Sequence, residues 1–156
     1  MTTSSGLALV FSQPQPLEAQ HDTQAFDCSV TPLNQFFQQY VLTNHANGSA
    51  RIFVTLAQGR VFGYHSLAAA SVEHATVPQR ASKGLACHLI PMLLLARLAV
   101  DVRARSQGVG RSLLQNALLK YLQASEVIGC RALMVHAKDE TALRFYECFG
   151  YEVFIY

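Results

Sequence analysis

Residues 95–111 read Leu95-Ala96-Arg97-Leu98-Ala99-Val100-Asp101-Val102-Arg103-Ala104-Arg105-Ser106-Gln107-Gly108-Val109-Gly110-Arg111. Met92 to Asp101 is nearly continuous apolar sequence, the pattern of a strand covered on both faces. The Gly108-x-Gly110 turn then opens a helix whose apolar stripe is Leu113, Leu114, Ala117, Leu118, Tyr121 and Leu122, with Gly129 as its expected C-terminal cap. A strand that turns through Arg105-x-x-Gly108-x-Gly110 into a helix is a phosphate-binding arrangement. The helix start offers unpaired N–H groups and about half a positive charge, and glycines let a ligand approach the main chain. Arg103, Arg105 and Arg111 add charge-assisted donors. The run is not the G-x-x-x-x-G-K-[ST] loop, and it lacks the third glycine of the dinucleotide fingerprint. A glycine-bearing turn beside solvated arginines is the alternative.

The surrounding chain has 156 residues, which argues for one domain spanning 1–156. Apolar types make up 51% and charged types 14%, against about 25% charged in an average soluble domain. That composition excludes extensive disorder and points to apolar surface covered by a partner. The longest apolar stretch, Leu89 to Ala96, contains Pro91 and is too short for a membrane span. Met1 to Gly6 lacks the basic run of a signal peptide. The net charge of +2 is small, but six of the twelve Lys and Arg lie between Arg97 and Arg131, opposed there only by Asp101 and Glu126. A phosphate-bearing ligand fits that segment. Cys28, Cys87, Cys130 and Cys148 show no C-x-x-C spacing, so no metal site is expected, and free thiols in the cytoplasm are the default.

Leu7 to Phe11 reads as a first strand and Gln13 to Gln20 as a loop. Thr31-Pro32 starts a helix whose buried positions are Leu33, Phe36, Phe37, Tyr40 and Val41, ending near Asn47-Gly48. Ile52 to Leu56 and Val61 to Val72 form a hairpin about Gln58-Gly59. Glu73 to Lys83 is an expected exposed loop. Ala132 to Ala137 is a buried strand, Asp139 caps a last helix closed by Gly150, and Tyr151 to Tyr156 opens a final strand. The expected order is β-α-β-β-β-α-β-α-β, an α/β (α+β) domain.

Leu98-Ala99-Val100-Asp101 followed by Arg105-Ser106-Gln107-Gly108-Val109-Gly110 resembles the acetyl-CoA signature of the GNAT acyltransferases. Phe26-Asp27-Cys28, Arg51-Ile52-Phe53-Val54, Gly63-Tyr64-His65-Ser66-Leu67, Met134-Val135-His136-Ala137 and Arg144-Phe145-Tyr146 narrow the likeness to the GNAT toxins of bacterial type II toxin-antitoxin modules. The resemblance spans about residues 25 to 151. It implies a GNAT fold with a central mixed, mostly antiparallel sheet flanked by helices. It implies acetyl-CoA as co-substrate, held by Leu98, Ala99, Val100, Arg105, Ser106, Gln107, Gly108, Val109, Gly110 and Arg111. It implies acetylation of the α-amine of an aminoacyl-tRNA, blocking translation, and neutralisation by a ribbon-helix-helix antitoxin. Tyr146 is the implied proton or hydrogen-bond donor to the leaving thiolate, although Ala142, Phe145, Tyr146 and Phe149 also make a plain core stripe.

Physical chemistry adds to the resemblance. Exposed main chain from Leu98 to Val100 would stabilise charge on the thioester oxygen, and an amide-bearing pantetheine would pair with that strand. An α-amine with a reference pKa of about 7.7 to 8.0 is partly neutral near pH 7, so no strong base is required. Arg97 interrupts an apolar strand and is either paired with a carboxylate or aimed into the cleft. His65 and His136 read as core histidines before bases. Arg51, Arg80, Lys83, Arg97 and Arg144 are candidates for tRNA phosphates, or a solvated surface. The toxins of this family continue with another strand where this sequence stops at Tyr156, so an open edge and a homodimer through that region are expected. A GNAT acting on a small amine or protein N-terminus, and a CoA- or antitoxin-binding module without turnover, are the competing readings.

Overall fold

The computed structural model describes residues 8–73, 89–137 and 139–150. A five-stranded sheet has the order β1 (Gln15–Pro16), β2 (Arg51–Ala57), β3 (Arg60–Val72), β4 (Ile90–Val100), β5 (Leu133–Val135). The first three pairings are antiparallel and β4–β5 is parallel, so the sheet is mixed and mostly antiparallel. Helices α1 (Thr31–Gln39), α2 (Val41–Asn47), α3 (Val109–Ser125) and α4 (Glu140–Cys148) flank it.

The alternation of β2 and β3 builds two cores. Ile52, Val54 and Tyr64 face α1, where Phe26, Phe36 and Phe37 pack and the Phe37 and Tyr64 rings stack at 4.6 Å. Phe53, Leu67 and Leu95 face the other way, against Leu114 and Ala117 of α3 and Tyr146 of α4. Gly63 sets how close α3 comes to the sheet. A Cβ there would stand 2.7 Å from Val109 Cγ1 and 2.9 Å from Leu113 Cδ1. The absent side chain lets the helix lie directly on β3.

Several expectations are corrected. Residues 8–11 are not a strand; the first pairing falls on Gln15 and Pro16, inside the expected loop, opposite Val54 and Phe53. The helix begun at Thr31-Pro32 breaks at Tyr40, whose φ of −120° lets α2 turn so that Val41 is buried and Tyr40 is 54% exposed. α3 ends at Ser125 rather than at Gly129, because the amides of Glu126 and Val127 fold back onto the carbonyls of Gln123 and Ala124 and close its last turn. Leu118 and Leu122, expected in the buried stripe, are exposed. Both ends of α4 are as expected, with Asp139 accepting from Ala142 N–H at 2.8 Å at its start and Gly150 at φ 86° beyond its last turn. The loop after Glu73 and the strand from Tyr151 lie outside the described residues.

Candidate active site

The site begins with an irregularity in β4. Between the pairs Ser66–Arg97 and Leu67–Leu95 the register slips by one residue, leaving Ala96 as a bulge. On the other edge β5 pairs with Leu93, Leu94 and Leu95 and goes no further. The Asp101 N–H donates to Phe62 O at 2.8 Å. Antiparallel alternation therefore points the main-chain groups of Ala99 and Arg97 at β3, and those of Leu98 and Val100 at the open edge. Among the described residues no strand covers that edge.

A cleft of about 600 Å³ lies there. Leu98, Ala99 and Val100 form its floor, the turn from Ala104 to Arg111 one end, and Phe145 and Tyr146 of α4 a wall. At the turn, Gly108 takes the left-handed backbone, φ 83°, at the N-cap of α3. No side chain caps this helix start and its first turn holds no acidic residue. The first helical bond runs from Ser112 N–H to Gly108 O, so the N–H groups of Val109, Gly110 and Arg111 are left for a ligand. A Cβ at Gly110 would stand 3.5 Å from Phe145 Cζ and 3.6 Å from Val100 Cγ2, ordinary contact distances. Gly108 is required by its backbone angle; Gly110 is not.

The arginines of the turn divide their tasks. Arg105 lines the cleft while its Nη2 donates to Cys28 O at 3.1 Å and Ser29 Oγ at 2.6 Å, fastening the segment before α1 to the turn. Arg111 also lines it. Arg103, expected as a phosphate donor, is turned away: its Nε and Nη2 each donate at 2.9 Å to the buried carboxylate of Asp101, and its guanidinium lies over the Phe62 ring. Burial of Asp101 opposes ionisation, but hydrogen bonds from Arg103 and from the Asp27 N–H outweigh it and hold the carboxyl below its usual range. Gln107 does not line the cleft; it donates to Arg103 O at 3.1 Å.

Tyr146 is 7% exposed and burial pushes its phenol up to about 12, so it carries its proton at neutral pH. His65 is a core residue, as expected. Its Nε2 meets Asn116 Oδ1 at 2.8 Å, its ring stacks on Phe53, and burial pushes its pKa down to about 4. His136, in contrast, is exposed just beyond β5.

The candidate tRNA residues are not gathered in the cleft. Arg97 does not line it; its guanidinium stacks 3.7 Å from the centre of the Phe36 ring on the α1 side, which satisfies its apolar stem and charge without either expected partner. Arg51 donates to His45 O at 2.7 Å and lines a separate groove with Phe53 and Lys120. Arg144 pairs with Glu140 at 3.1 Å on the exposed side of α4. Arg80 and Lys83 lie outside the described residues. The sequence reading missed Val30 and Thr141 as lining residues and assigned Leu33 and Ala142 only to core stripes. The signal available was the Phe26-Asp27-Cys28 segment, which Asp101 and Arg105 bind to the turn.

The family model for the acetyltransferase (GNAT) domain matches residues 48–153. A tRNA-acetylating toxin of Mycobacterium tuberculosis is 36% identical over 143 residues, 92% of this chain and 86% of that protein. Among solved structures, AtaT complexed with acetyl-methionyl-tRNAfMet has a TM-score of 0.84 at 29% identity, covering 94% of this chain and 88% of that one. An AtaT toxin variant bound to the C-terminus of the antitoxin AtaR and acetyl-CoA has a TM-score of 0.74 at 30% identity, covering 91% and 83%. Among the described residues no group of three His, Cys, Asp or Glu stands close enough to hold a metal ion, and no helix is long and apolar enough to cross a membrane. Fold, turn and sequence together place the chain in the GNAT acetyltransferase family.

Proposed function

We propose that this chain moves the acetyl group of acetyl-CoA to the α-amine of an aminoacyl-tRNA, and so acts as a translation-blocking toxin. The observation that carries the reading is a single cleft in which the uncapped start of α3, the open edge of β4 and Tyr146 converge. The 36% identity to a tRNA-acetylating toxin supports the choice of acceptor.

Acetyl-CoA supplies an acyl group activated as a thioester and a diphosphate to be held. The N–H groups of Val109, Gly110 and Arg111 take the diphosphate, with the Arg111 side chain at the rim. Main-chain groups of Leu98 and Val100 pair with the amides of pantetheine, and one N–H is placed for the oxygen that gains charge during attack. Tyr146 donates a hydrogen bond to the sulfur as the C–S bond breaks. Its phenol, at about 12, is a far weaker acid than a thiol at about 8.5, so it stabilises the thiolate rather than surrendering its proton. The proton that sulfur finally takes is the one the amine releases as the new C–N bond forms. An α-amine is neutral often enough near pH 7 to attack without a carboxylate base.

Arg51, Arg80 and Lys83 are assigned to the tRNA backbone, whereas Arg97, stacked on the Phe36 ring, is left out of it. A ribbon-helix-helix antitoxin, a homodimeric active form and a cytoplasmic site of action complete the reading; the AtaT complex with the C-terminus of AtaR supports the antitoxin. The experiment is incubation with radiolabelled acetyl-CoA and a pool of charged tRNA, beside uncharged tRNA, polyamines and peptides. Label confined to charged tRNA is expected; label on a small amine or peptide instead refutes the acceptor, and no label anywhere refutes the enzyme.

A further inference from the structure

Residues 27–30 lie between the buried Phe26 and α1 and form no helix or strand, yet they are held on two sides. Toward the end of β4, the Asp27 N–H donates to Asp101 at 3.0 Å and Asp27 O accepts from the Val102 N–H at 2.9 Å. Toward α1 the tie is one side chain. Asn34 Oδ1 accepts from the Cys28 N–H at 2.9 Å, and Asn34 Nδ2 donates to Asp27 Oδ1 at 2.9 Å. The same carboxylate oxygen accepts from the Ser29 N–H at 2.8 Å, and Ser29 takes the left-handed backbone, φ 67°, without being glycine. Such a conformation persists only where its neighbours over-determine it. Val30 offers no capping side chain to the start of α1, so Asn34, reaching back from within the helix, fastens the segment instead.

The segment so held is one wall of the cleft. Cys28, Val30 and Leu33 line it and belong to the core on the α1 face of the sheet, whereas Phe145 and Tyr146 line it from the core on the α3 face. The open edge of β4, where the donor lies in the reading above, runs between these walls. With Tyr146 on the sulfur, the amine must reach the carbonyl carbon from the side that the departing sulfur leaves free. That side is the wall of Cys28, Val30 and Leu33. Asn34 does not itself line the cleft, so whatever it does for the acceptor passes through these three residues.

We propose that Asn34 is a positioning residue for the acceptor: by holding the 27–29 segment through Asp27 and Cys28, it sets Cys28, Val30 and Leu33 as the apolar wall against which the aminoacyl end of the tRNA lies. The role in transfer rests on the acceptor named in the preceding reading; the hold on the wall does not.

Asn34→Ala removes both bonds and leaves the Asp27 main chain on Asp101 and Val102. In acetyl transfer to a pool of charged tRNA, KM for the tRNA should rise about tenfold, while acetyl-CoA affinity by calorimetry stays within about threefold of the wild type. Asn34→Asp still accepts from Cys28 but sets two carboxylates together, and should do the same. Combined with Asp27→Asn it exchanges amide and carboxylate, so that position 27 donates to position 34, and KM should return to within about threefold of the wild type. An unchanged KM in Asn34→Ala, an equal loss of acetyl-CoA affinity, or an exchange that rescues nothing overturns the proposal. Alkylation of Cys28 by iodoacetamide, followed by mass spectrometry, needs no acceptor. Its rate should rise about tenfold in Asn34→Ala and fall back in the exchange; a rate that does not change overturns the proposal. A wild type that labels no charged tRNA refutes the acceptor reading instead, and the hold of Asn34 on the wall is then decided by the alkylation.

Discussion

Replacing Asp101 by Asn tests whether the end of β4 is held by charge. The carboxylate is fully buried and accepts four N–H groups: Asp27 N at 3.0 Å, Arg103 N at 2.9 Å, and Arg103 Nε and Nη2 at 2.9 Å each. An asparagine amide has one oxygen to offer, so its NH₂ must face donors that the second carboxylate oxygen now satisfies. Two of the four bonds are lost. At about 1.5–3 kcal/mol for a hydrogen bond to a charged group, and toward the low end because the Arg103 side chain is 42% exposed, the loss is about 3 kcal/mol. Urea unfolding at pH 7 reads it directly. The sign with pH follows from the lowered folded pKa. The contribution is complete above the unfolded carboxyl value of about 3.9 and disappears as pH falls through the lower folded value, so the gap between wild type and Asp101→Asn should narrow below about pH 4. The variant should also raise KM for acetyl-CoA, because the loop before α1 loses its Asp27 anchor while Val30 lines the cleft. A stability change under 1 kcal/mol at pH 7 would refute this account of the strand end.

Tyr146→Phe keeps the ring in the core and removes the hydrogen bond to sulfur, so kcat should fall about 10²-fold with KM for acetyl-CoA nearly unchanged; full turnover would take the hydroxyl out of the mechanism. Gly108→Ala forces a side chain into a left-handed backbone and should cost about 1–2 kcal/mol while weakening acetyl-CoA binding, measured by calorimetry. Gly110→Ala meets only ordinary contacts and should bind almost as the wild type does. His65, pushed from 6.5 to about 4 in the folded state, is protonated more readily when unfolded, so stability should fall by about 3 kcal/mol as pH drops from 6.5 to 4. A His65→Gln variant lacking that slope would assign it; an unchanged slope would reject it.

The parts of this molecule legible in the sequence are those fixed locally. The Gly108 turn, the Asp139 cap, the Gly150 stop and the β2–β3 hairpin each follow from a few adjacent residues, and each is present. What the sequence hid depends on distant neighbours. The Ala96 bulge is a feature of the register between β4 and β3, so nothing in Leu95-Ala96-Arg97 announces it. Arg103 and Arg105 have the same chemistry and stand two residues apart; only the fold decides that Asp101 claims one and that the cleft receives the other. Leu118 and Leu122 fit a core period by spacing, yet the face of α3 that packs on the sheet is the one carrying Val109, Leu113 and Ala117, and both leucines are exposed.

The most direct measurement of the central claim is a crystal structure with acetyl-CoA. The diphosphate oxygens should lie within hydrogen-bond distance of the main-chain N–H groups of Val109, Gly110 and Arg111, with the sulfur beside the Tyr146 hydroxyl. A diphosphate held elsewhere, with those three N–H groups facing only solvent, would contradict it.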